Sequence, residues 1–136
     1  MSQENVEVVR QAYAAFAAGG VDALGPSFAH DAIHHAYPEW VTQSEYRGPD
    51  GLRALLAEWT DNFDDFELEV RELRDCGDSV VMLGETVGRI KGSGVPIRQP
   101  LGAVYSDFRE GQIGQARNFL TWREALEAAG LSQQDA

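Results

Sequence analysis

Residues 79–91 read Ser-Val-Val-Met-Leu-Gly-Glu-Thr-Val-Gly-Arg-Ile-Lys, and this stretch decides the class of fold. Its apolar side chains occupy both alternations of a strand. One face carries Val80, Met82 and Ile90, and the other carries Val81, Leu83 and Val87. A strand that is apolar on both faces is buried on both faces. We therefore expect a long strand that is covered on both sides.

Three further strands surround this one. Residues 66–74 alternate between apolar and polar side chains, and Gly77-Asp78 forms the turn into residues 79–91. Residues 92–94, Gly-Ser-Gly, form the next turn, and residues 97–109 form another long strand. Glu110-Gly111 is the last turn before residues 112–121. Short turns between such runs predict an antiparallel meander, which is followed by a short helix over residues 122–129.

Upstream of the meander the apolar residues recur with the period of a helix. The first helix is predicted from a stripe at this spacing: Val6, Val9, Tyr13 and Phe16. Asn5 or Ser2 caps this helix, and Gly19-Gly20 ends it. Asp22 is expected to cap a short second helix that reaches about residue 28.

Residues 32–37 are predicted to form a short strand, and residues 39–48 a loop that holds Trp40. Asp50 is expected to cap a third helix, whose apolar stripe is Leu52, Leu55, Leu56, Trp59 and Phe63. Helices that precede a meander of strands are typical of the α+β class. We expect one domain over residues 1–136, the size of a usual domain.

Composition excludes several classes of function. The chain has 22 acidic and 11 basic residues and a net charge of −11, which disfavours binding to nucleic acid or to anionic membranes. Its one cysteine, Cys76, forms neither an internal disulfide nor a cysteine zinc site. No signal peptide and no transmembrane stretch is evident. These features favour a protein of the reducing cytoplasm.

Five stretches, in order, resemble one known superfamily. They are residues 8–16, residues 28–35 (Phe-Ala-His-Asp-Ala-Ile-His-His), Tyr46-Arg47-Gly48 before a helix, residues 108–113 (Phe-Arg-Glu-Gly-Gln-Ile) and residues 124–131. Together they resemble the nuclear transport factor and ketosteroid isomerase superfamily, and more narrowly its polyketide-cyclase-like (SnoaL-like) branch. The resemblance implies a cone-shaped α+β fold, in which a curved, mixed sheet of five strands wraps around helices and encloses an apolar pocket.

The resemblance also implies a homodimer, because the outer face of the sheet often packs against a second subunit in this superfamily. A single domain of this length has too few helices to cover both faces of residues 79–91. A second copy of the chain is therefore the expected cover.

The catalytic residues of the best-known relatives are missing at the matching positions. Where ketosteroid isomerases carry a strand carboxylate, a helix tyrosine and a later aspartate, this sequence has Ala36, Ala12 and Val104. Tyr13 lies one step from the tyrosine position. The pair of aspartates bridged by arginine in limonene-epoxide-hydrolase-like enzymes is absent too, since Arg98 has no aspartate partner.

His34 is the candidate catalytic base. His34 and His35 are adjacent in a strand and point to opposite faces, and the register places His34 inside. An imidazole with the usual pKa near 6.5 suits proton transfer at neutral pH. The alternative is a histidine that is hydrogen-bonded in the pocket wall. No metal is expected, because His30, His34 and His35 do not converge from one strand.

Further side chains are expected to bind the substrate. Trp40 is either a lid over the pocket or an anchor for its loop, and Trp59 lines the pocket or belongs to the core of its helix. Tyr13 offers its hydroxyl from the first helix. Ser106 and Asn118 share a face with Val104 by alternation and orient the ligand. The other face of those strands carries Tyr105, Arg117 and Phe119, toward the dimer partner.

We therefore expect a pocket protein for a small apolar or polycyclic metabolite. Its chemistry is predicted to be acid–base work without a cofactor: isomerisation, cyclisation, dehydration or epoxide opening. The alternative is a dimeric ligand-binding module without catalysis.

Overall fold

The structure is a computed structural model of the chain, and it describes residues 2–40 and 42–131. The helices are α1 (Ser2–Gly19), α2 (Gly48–Thr60) and α3 (Trp122–Ala128), with a 3₁₀ helix at Val21–Ser27. The strands are β1 (Phe28–His35), β2 (Glu45–Arg47), β3 (Phe63–Asp75), β4 (Val80–Ile90), β5 (Pro96–Ser106) and β6 (Ile113–Phe119). The expected α+β class is confirmed.

All six strands belong to one sheet, in the order β2-β1-β6-β5-β4-β3. Neighbouring strands are antiparallel except β1 and β6, which are parallel. The sheet is therefore mixed, as expected, and its last four strands form the predicted meander. No helix within residues 2–40 and 42–131 is both long enough and apolar enough to span a bilayer.

The expected number of strands was wrong because residues 39–48 are not all loop. Glu45–Arg47 forms β2, which pairs antiparallel with residues 33–35 at the edge of the sheet. Only Tyr46 of this strand is buried, with 2% of its surface exposed. Three residues with one buried side chain are too short to show an alternating pattern, so the sequence gives no signal for this strand.

β1 begins earlier and ends earlier than residues 32–37. Its pairing with β6 shifts register between Phe28 and Ile33, and His30 and Asp31 are both exposed at this bulge. A bulge breaks the alternation of buried and exposed side chains. The predicted strand therefore started only after the bulge.

Two predicted helix caps were also wrong. The 3₁₀ helix is capped by Gly20, whose backbone has φ 74° and ψ −164°, and Asp22 lies in the first turn. Arg47 occupies the cap position of α2, so Asp50 lies inside the first turn of that helix. There its negative charge still interacts favourably with the positive end of the helix dipole. α1 already includes Ser2, so Asn5 is a helical residue. The position that caps α1 falls outside the described residues.

The sheet has a core on each of its faces. On the inner face, α1, α2 and the 3₁₀ helix cover a cluster that includes Val80 and Met82. On the outer face, Val81 and Leu83 pack against Ala125 and Leu126 of α3. The expectation that only a second subunit could cover these outer residues was wrong, because α3 folds back over them. Beyond α3, the outer face carries ion pairs among Glu69, Arg71, Glu85 and Arg98.

α3 lies close against the outer face because glycines leave room for it. A Cβ atom built on Gly102 of β5 would stand 2.6 Å from Cβ of Ala125 and 3.2 Å from the carbonyl oxygen of Thr121. Trp122 adds a hydrogen bond from its Nε1 to the carbonyl oxygen of Gly84, at 2.9 Å. A larger residue at position 102 therefore forces α3 away from the sheet.

We expect Gly102→Ala to lower the free energy of unfolding by about 1–3 kcal/mol, the usual cost of overpacking a core. Denaturation in urea measures the change. Gly25→Ala is the matched control, because no atom lies within 4 Å of the Cβ that it adds. Equal stability of the two variants would contradict this account of how α3 packs.

Candidate functional site

A mostly apolar cavity lies between the inner face of the sheet and helices α1 and α2. Its walls are Ala12, Tyr13, Phe16, Leu24, Phe28, His34, Leu52, Leu55, Leu56, Trp59, Leu68, Leu101, Tyr105, Ala116 and Asn118. We call it the inner cavity. Its volume of about 60 Å³ corresponds to roughly four to six water molecules, since one water needs about 10–15 Å³ by this measure. The space suits a compact ligand.

His34 is in the wall of the inner cavity, as the sequence predicted. It lies on β1 between Ala32 and Ala36, which are also buried, and only 2% of its surface is exposed. Phe28 contacts the imidazole edge-on, with 5.0 Å between the ring centroids. Within the described residues, Nε2 of His34 is buried and has no hydrogen-bond partner. His35 faces the other way, and its Nδ1 lies 3.9 Å from a carboxylate oxygen of Glu45.

The surroundings of His34 change its acid–base properties. Burial, and to a smaller degree the nearby His35, lowers the pKa of His34 from 6.5 to about 4. The cause is that an apolar environment disfavours the charged imidazolium. His34 is therefore neutral at neutral pH, whereas a histidine with the usual pKa near 6.5 is partly protonated there.

Two tyrosine hydroxyls meet in the same cavity. Tyr13 of α1 and Tyr105 of β5 share a short hydrogen bond, and their rings stand at 81° to each other. Burial raises the pKa of both hydroxyls, that of Tyr105 to about 12, so both stay protonated at neutral pH. The pair holds two hydroxyl hydrogens, and their mutual bond uses one. Among the described residues the second hydrogen has no acceptor, so the pair presents a free donor.

The expected face of β5 was wrong. In the pairing of β5 with β6, Ala103 lies opposite Asn118 and Ser106 lies opposite Gln115. Ser106 therefore lies on the outer alternation with Val104, while Tyr105 lines the cavity. The alternation within β5 correctly placed Ser106 on the same face as Val104 and Tyr105 on the opposite face. What the sequence lacks is the register between the two strands, which decides which pair faces inward.

Asn118 does line the inner cavity, and it also ties two strands together. Its Nδ2 donates a hydrogen bond to the carbonyl oxygen of His35, at 2.9 Å. This bond joins β6 to β1 next to His34. Asn118 therefore helps to hold the strand that carries the candidate base.

The two tryptophans have different places. Trp59 of α2 lines the inner cavity, and its buried Nε1 has no acceptor within residues 2–40 and 42–131. Trp40 does not reach the inner cavity: its Nε1 donates to the hydroxyl of Tyr46 at 3.0 Å and to Oε1 of Glu58 at 3.2 Å. Of the two roles that the sequence allowed for Trp40, the geometry favours the anchor over the lid.

His34 also borders a second hollow. This hollow of about 70 Å³ shares Phe28, His34 and Leu52 with the inner cavity. Asp22 and Arg53 stand at its rim and form an ion pair of 2.6 Å in which both side chains are exposed.

The three histidines diverge. His30 is exposed at the bulge of β1, His34 faces the inner cavity and His35 faces Glu45. In the part of the chain that the structure describes, no three His, Cys, Asp or Glu side chains gather in a way that could hold a metal ion. The chemistry of the inner cavity therefore has to be sought in His34, the tyrosine pair and Trp59.

Comparisons with known proteins agree with the fold. The sequence model of the SnoaL-like domain matches residues 9–115. A search of curated proteins found no match.

Three solved structures illustrate the likeness. A hypothetical protein with a ketosteroid isomerase-like fold from Catenulispora acidiphila DSM 44928, in complex with trimethylamine, is 21% identical, with a TM-score of 0.70 over 92% of this chain and 93% of its own. A protein described as a SnoaL-like polyketide cyclase from Jannaschia sp. CCS1 is 20% identical, with a TM-score of 0.72 over 86% and 85%. TerC, co-crystallised with polyporic acid, is 17% identical, with a TM-score of 0.74 over 93% and 98%. At these identities the likeness is one of fold.

The lowered pKa of His34 predicts how stability depends on pH. The unfolded chain binds a proton at His34 near pH 6.5, but the folded chain does so only near pH 4. Stability is therefore lost as the pH falls between these values, by roughly 3 kcal/mol from this group. The measurement is the free energy of unfolding in urea at a series of pH values, for the wild type and for His34→Gln.

We expect His34→Gln to lose less stability than the wild type over this range, because glutamine does not titrate. His30→Gln, which changes an exposed histidine of the same strand, is the control and keeps the fall of the wild type. A fall of equal size in the wild type and in His34→Gln would contradict the lowered pKa.

Proposed function

Because the chain belongs to the SnoaL-like domain family, we propose that it binds a small, mostly apolar carbonyl compound in the inner cavity and moves a proton on it without a cofactor. One observation carries this proposal. A mostly apolar cavity holds a buried nitrogen of His34 and an indole N–H of Trp59, neither of which has a hydrogen-bond partner among the described residues. Beside them lies the tyrosine pair, whose mutual hydrogen bond uses one of its two hydroxyl hydrogens. Buried polar groups without partners are rare in proteins, and a bound ligand would satisfy them.

The proposed reaction begins with His34 as the base. Nε2 of the neutral imidazole takes a proton from the carbon next to the carbonyl group. The electron pair of that C–H bond forms a carbon–carbon double bond, and the π pair of the carbonyl bond moves onto the oxygen. The resulting enolate oxygen accepts a hydrogen bond from the tyrosine pair. His34 then returns the proton to another carbon, which completes an isomerisation. Alternatively, the enolate carbon attacks a second carbonyl of the same molecule, and the new alkoxide oxygen takes the proton from His34, which completes a cyclisation.

A base with a pKa of about 4 is weak, but it is not too weak for this chemistry. The aspartate base of ketosteroid isomerases works with a pKa of about 4.6, because strong hydrogen-bond donors stabilise the enolate. In this protein Tyr13 and Tyr105 supply the donor. Their raised pKa values keep the hydroxyls protonated, so they donate a hydrogen bond instead of adding a negative charge.

The fold neighbours support the class of substrate. One of them is described as a polyketide cyclase and another is co-crystallised with polyporic acid. The small volume of the inner cavity favours compact compounds over the polycyclic ones that the sequence also allowed.

The second candidate function is ligand binding without catalysis. It is favoured by the surroundings of His34, since burial and the nearby His35 both lower the pKa of the imidazole and so make it a weaker base. In this alternative, His34 and the tyrosine pair only hydrogen-bond a carbonyl or hydroxyl group of the ligand. The two functions predict the same binding and different chemistry.

The test is hydrogen–deuterium exchange at the carbons next to the carbonyl of small ketones and diketones, followed by NMR in D₂O. We expect His34→Gln to slow the catalysed exchange by roughly 100- to 10,000-fold, the usual contribution of a general base. His35→Gln is the matched control, because this adjacent side chain faces away from the cavity and its loss leaves the rate unchanged. For the wild type, kcat/KM falls only as the pH approaches about 4, where the base becomes protonated.

Substituted phenols test the binding that both functions predict, because the oxygen of an ionised phenol mimics the enolate oxygen. We expect Tyr13→Phe to weaken phenol binding by about tenfold or more, since a hydrogen bond to a charged group contributes about 1.5–3 kcal/mol. Phenol binding together with no exchange would support the binding module. Exchange that survives His34→Gln would remove His34 as the base.

We also propose that the protein works in the cytoplasm, where Cys76 stays reduced. In addition, we propose that two copies of the chain pair through the part of the outer sheet face that α3 leaves uncovered. Sedimentation velocity at micromolar concentration is expected to give the mass of a dimer. A monomer at all concentrations would remove the pairing.

A further inference from the structure

A second cavity lies beside the inner one, and its walls are of another kind. We call it the outer cavity, although it lies on the same face of the sheet as the inner cavity. Its volume is about 160 Å³, compared with about 60 Å³ for the inner cavity, and Trp59 and Leu101 line both of them. Five aromatic side chains and one carboxylate line the outer cavity: Tyr37, Trp40, Trp59, Phe63, Phe66 and Glu58.

The rings are set at several angles to one another. Tyr37 is parallel to Trp59 within 9°, with 5.8 Å between centroids, while Trp40 stands at 80° to Tyr37. Phe63 and Phe66 are inclined at 44° to each other, with their centroids 6.1 Å apart. The negative charge density on the faces of aromatic rings attracts cations, and several rings around one space form the kind of cage that binds methylated ammonium groups.

The charges around the outer cavity have the sign that a cation needs. Oε1 of Glu58 accepts hydrogen bonds from the Tyr46 hydroxyl at 2.7 Å and from Nε1 of Trp40 at 3.2 Å, so the carboxylate is held in place at the wall. No Lys, Arg or His is among the described residues that line this cavity. Burial, and to a smaller degree the negative charge of Glu39, raises the pKa of the Tyr37 hydroxyl. The net charge of the chain, −11, attracts cations from solution as well.

We propose that the outer cavity is a binding site for a methylated ammonium group, held by the aromatic rings and balanced by Glu58. A methylated ammonium carries its charge on an apolar surface, so it needs ring faces more than hydrogen-bond acceptors. A primary ammonium would need an acceptor for each of its N–H groups. Glu58 is the one charged acceptor in the described wall, beside the uncharged Asn62, Thr86 and Gln99. An anion would be repelled, and a neutral apolar ligand would gain nothing from the carboxylate.

This site is separate from the catalytic proposal, since its carboxylate and four of its five rings do not line the inner cavity. The shared wall at Trp59 means that a molecule with a methylated ammonium at one end and a carbonyl group at the other could occupy both cavities. The proposed ammonium site does not depend on such a molecule.

The test is binding of choline and tetramethylammonium to the full chain, measured by calorimetry. The neutral control ligand is 3,3-dimethyl-1-butanol, which has the shape of choline with carbon in place of the charged nitrogen. We expect choline to bind at least about tenfold more tightly than this alcohol, because cation–π contacts and the carboxylate act on the charge. Glu58→Gln and Phe66→Leu are each expected to weaken choline binding by about 3- to 30-fold. Tyr13→Phe, in the inner cavity, leaves it unchanged.

Equal binding of choline and the neutral alcohol, or no binding of either cation, would overturn the proposal. Choline binding that is unaffected by both variants would also overturn it. NMR supplies a measurement that needs no variant: nuclear Overhauser effects between the methyl protons of tetramethylammonium and the rings of Phe66 and Trp40 are expected, and their absence in the bound state counts against the site. Phenol binding that responds only to Tyr13→Phe, and choline binding that responds only to Glu58→Gln and Phe66→Leu, would keep the two proposals distinguishable.

Discussion

The parallel pairing of β1 with β6 is the contact on which the inner cavity depends. Ile33, His34 and His35 lie beside residues 115–117 of β6, and Asn118 hydrogen-bonds the His35 carbonyl. Parallel neighbours need a long crossover, and here the connection contains β2, α2 and the first three strands of the meander. The pairing therefore brings the strand of the histidines and the strand of Asn118 together under α2. A slip by one residue would exchange His34 and His35 between the cavity and the outer side.

Much of this arrangement could be predicted from the sequence, because it rests on long patterns. The stripe of α1, the apolar faces of β4 and the turns of the meander each extend over many residues, so the order of these longer elements and the α+β class were predicted correctly. The inward position of His34 followed from its alternation with Ala36. Local features with few residues gave no such signal: β2 has a single buried side chain, Tyr46, and the bulge near His30 hides the start of β1.

The candidate site was predicted less well than the fold, and the reason is register. Alternation groups the side chains of β5 into two sets, but only its pairing with β6 decides which set faces the cavity. Tyr105 was therefore expected outside and Ser106 inside, the reverse of the structure. The hydrogen bond between Tyr13 and Tyr105 joins residues 92 positions apart. The contact is one of tertiary structure and leaves no trace in the local pattern. The role of α3 was missed for the same reason, since its contact with Gly102 depends on how the chain folds back.

The polar groups of the inner cavity share one property, which is that they are neutral. Burial lowers the pKa of His34 and raises the pKa of both tyrosines, so at neutral pH the empty cavity holds no full charge. The neutral state of these groups has the lowest free energy in an apolar cavity, because an unpaired ion there loses its hydration without compensation. A proton transfer from a ligand to His34 changes the balance, since it creates an imidazolium and an enolate at the same moment.

Two opposite charges that form together in an apolar space attract each other more strongly than they would in water. The burial that makes His34 a weak base toward solvent protons is therefore a smaller obstacle toward a bound ligand whose own charge stays beside it. The free hydroxyl hydrogen of the tyrosine pair also lowers the barrier to proton transfer, because it stabilises the enolate and has no negative charge to stabilise before the enolate forms. In this protein the environment that removes charge from the resting cavity is also the one that favours a paired charge during the reaction. The apolar surroundings that lower the pKa of His34 are thus the same surroundings that stabilise the ion pair in the proposed reaction.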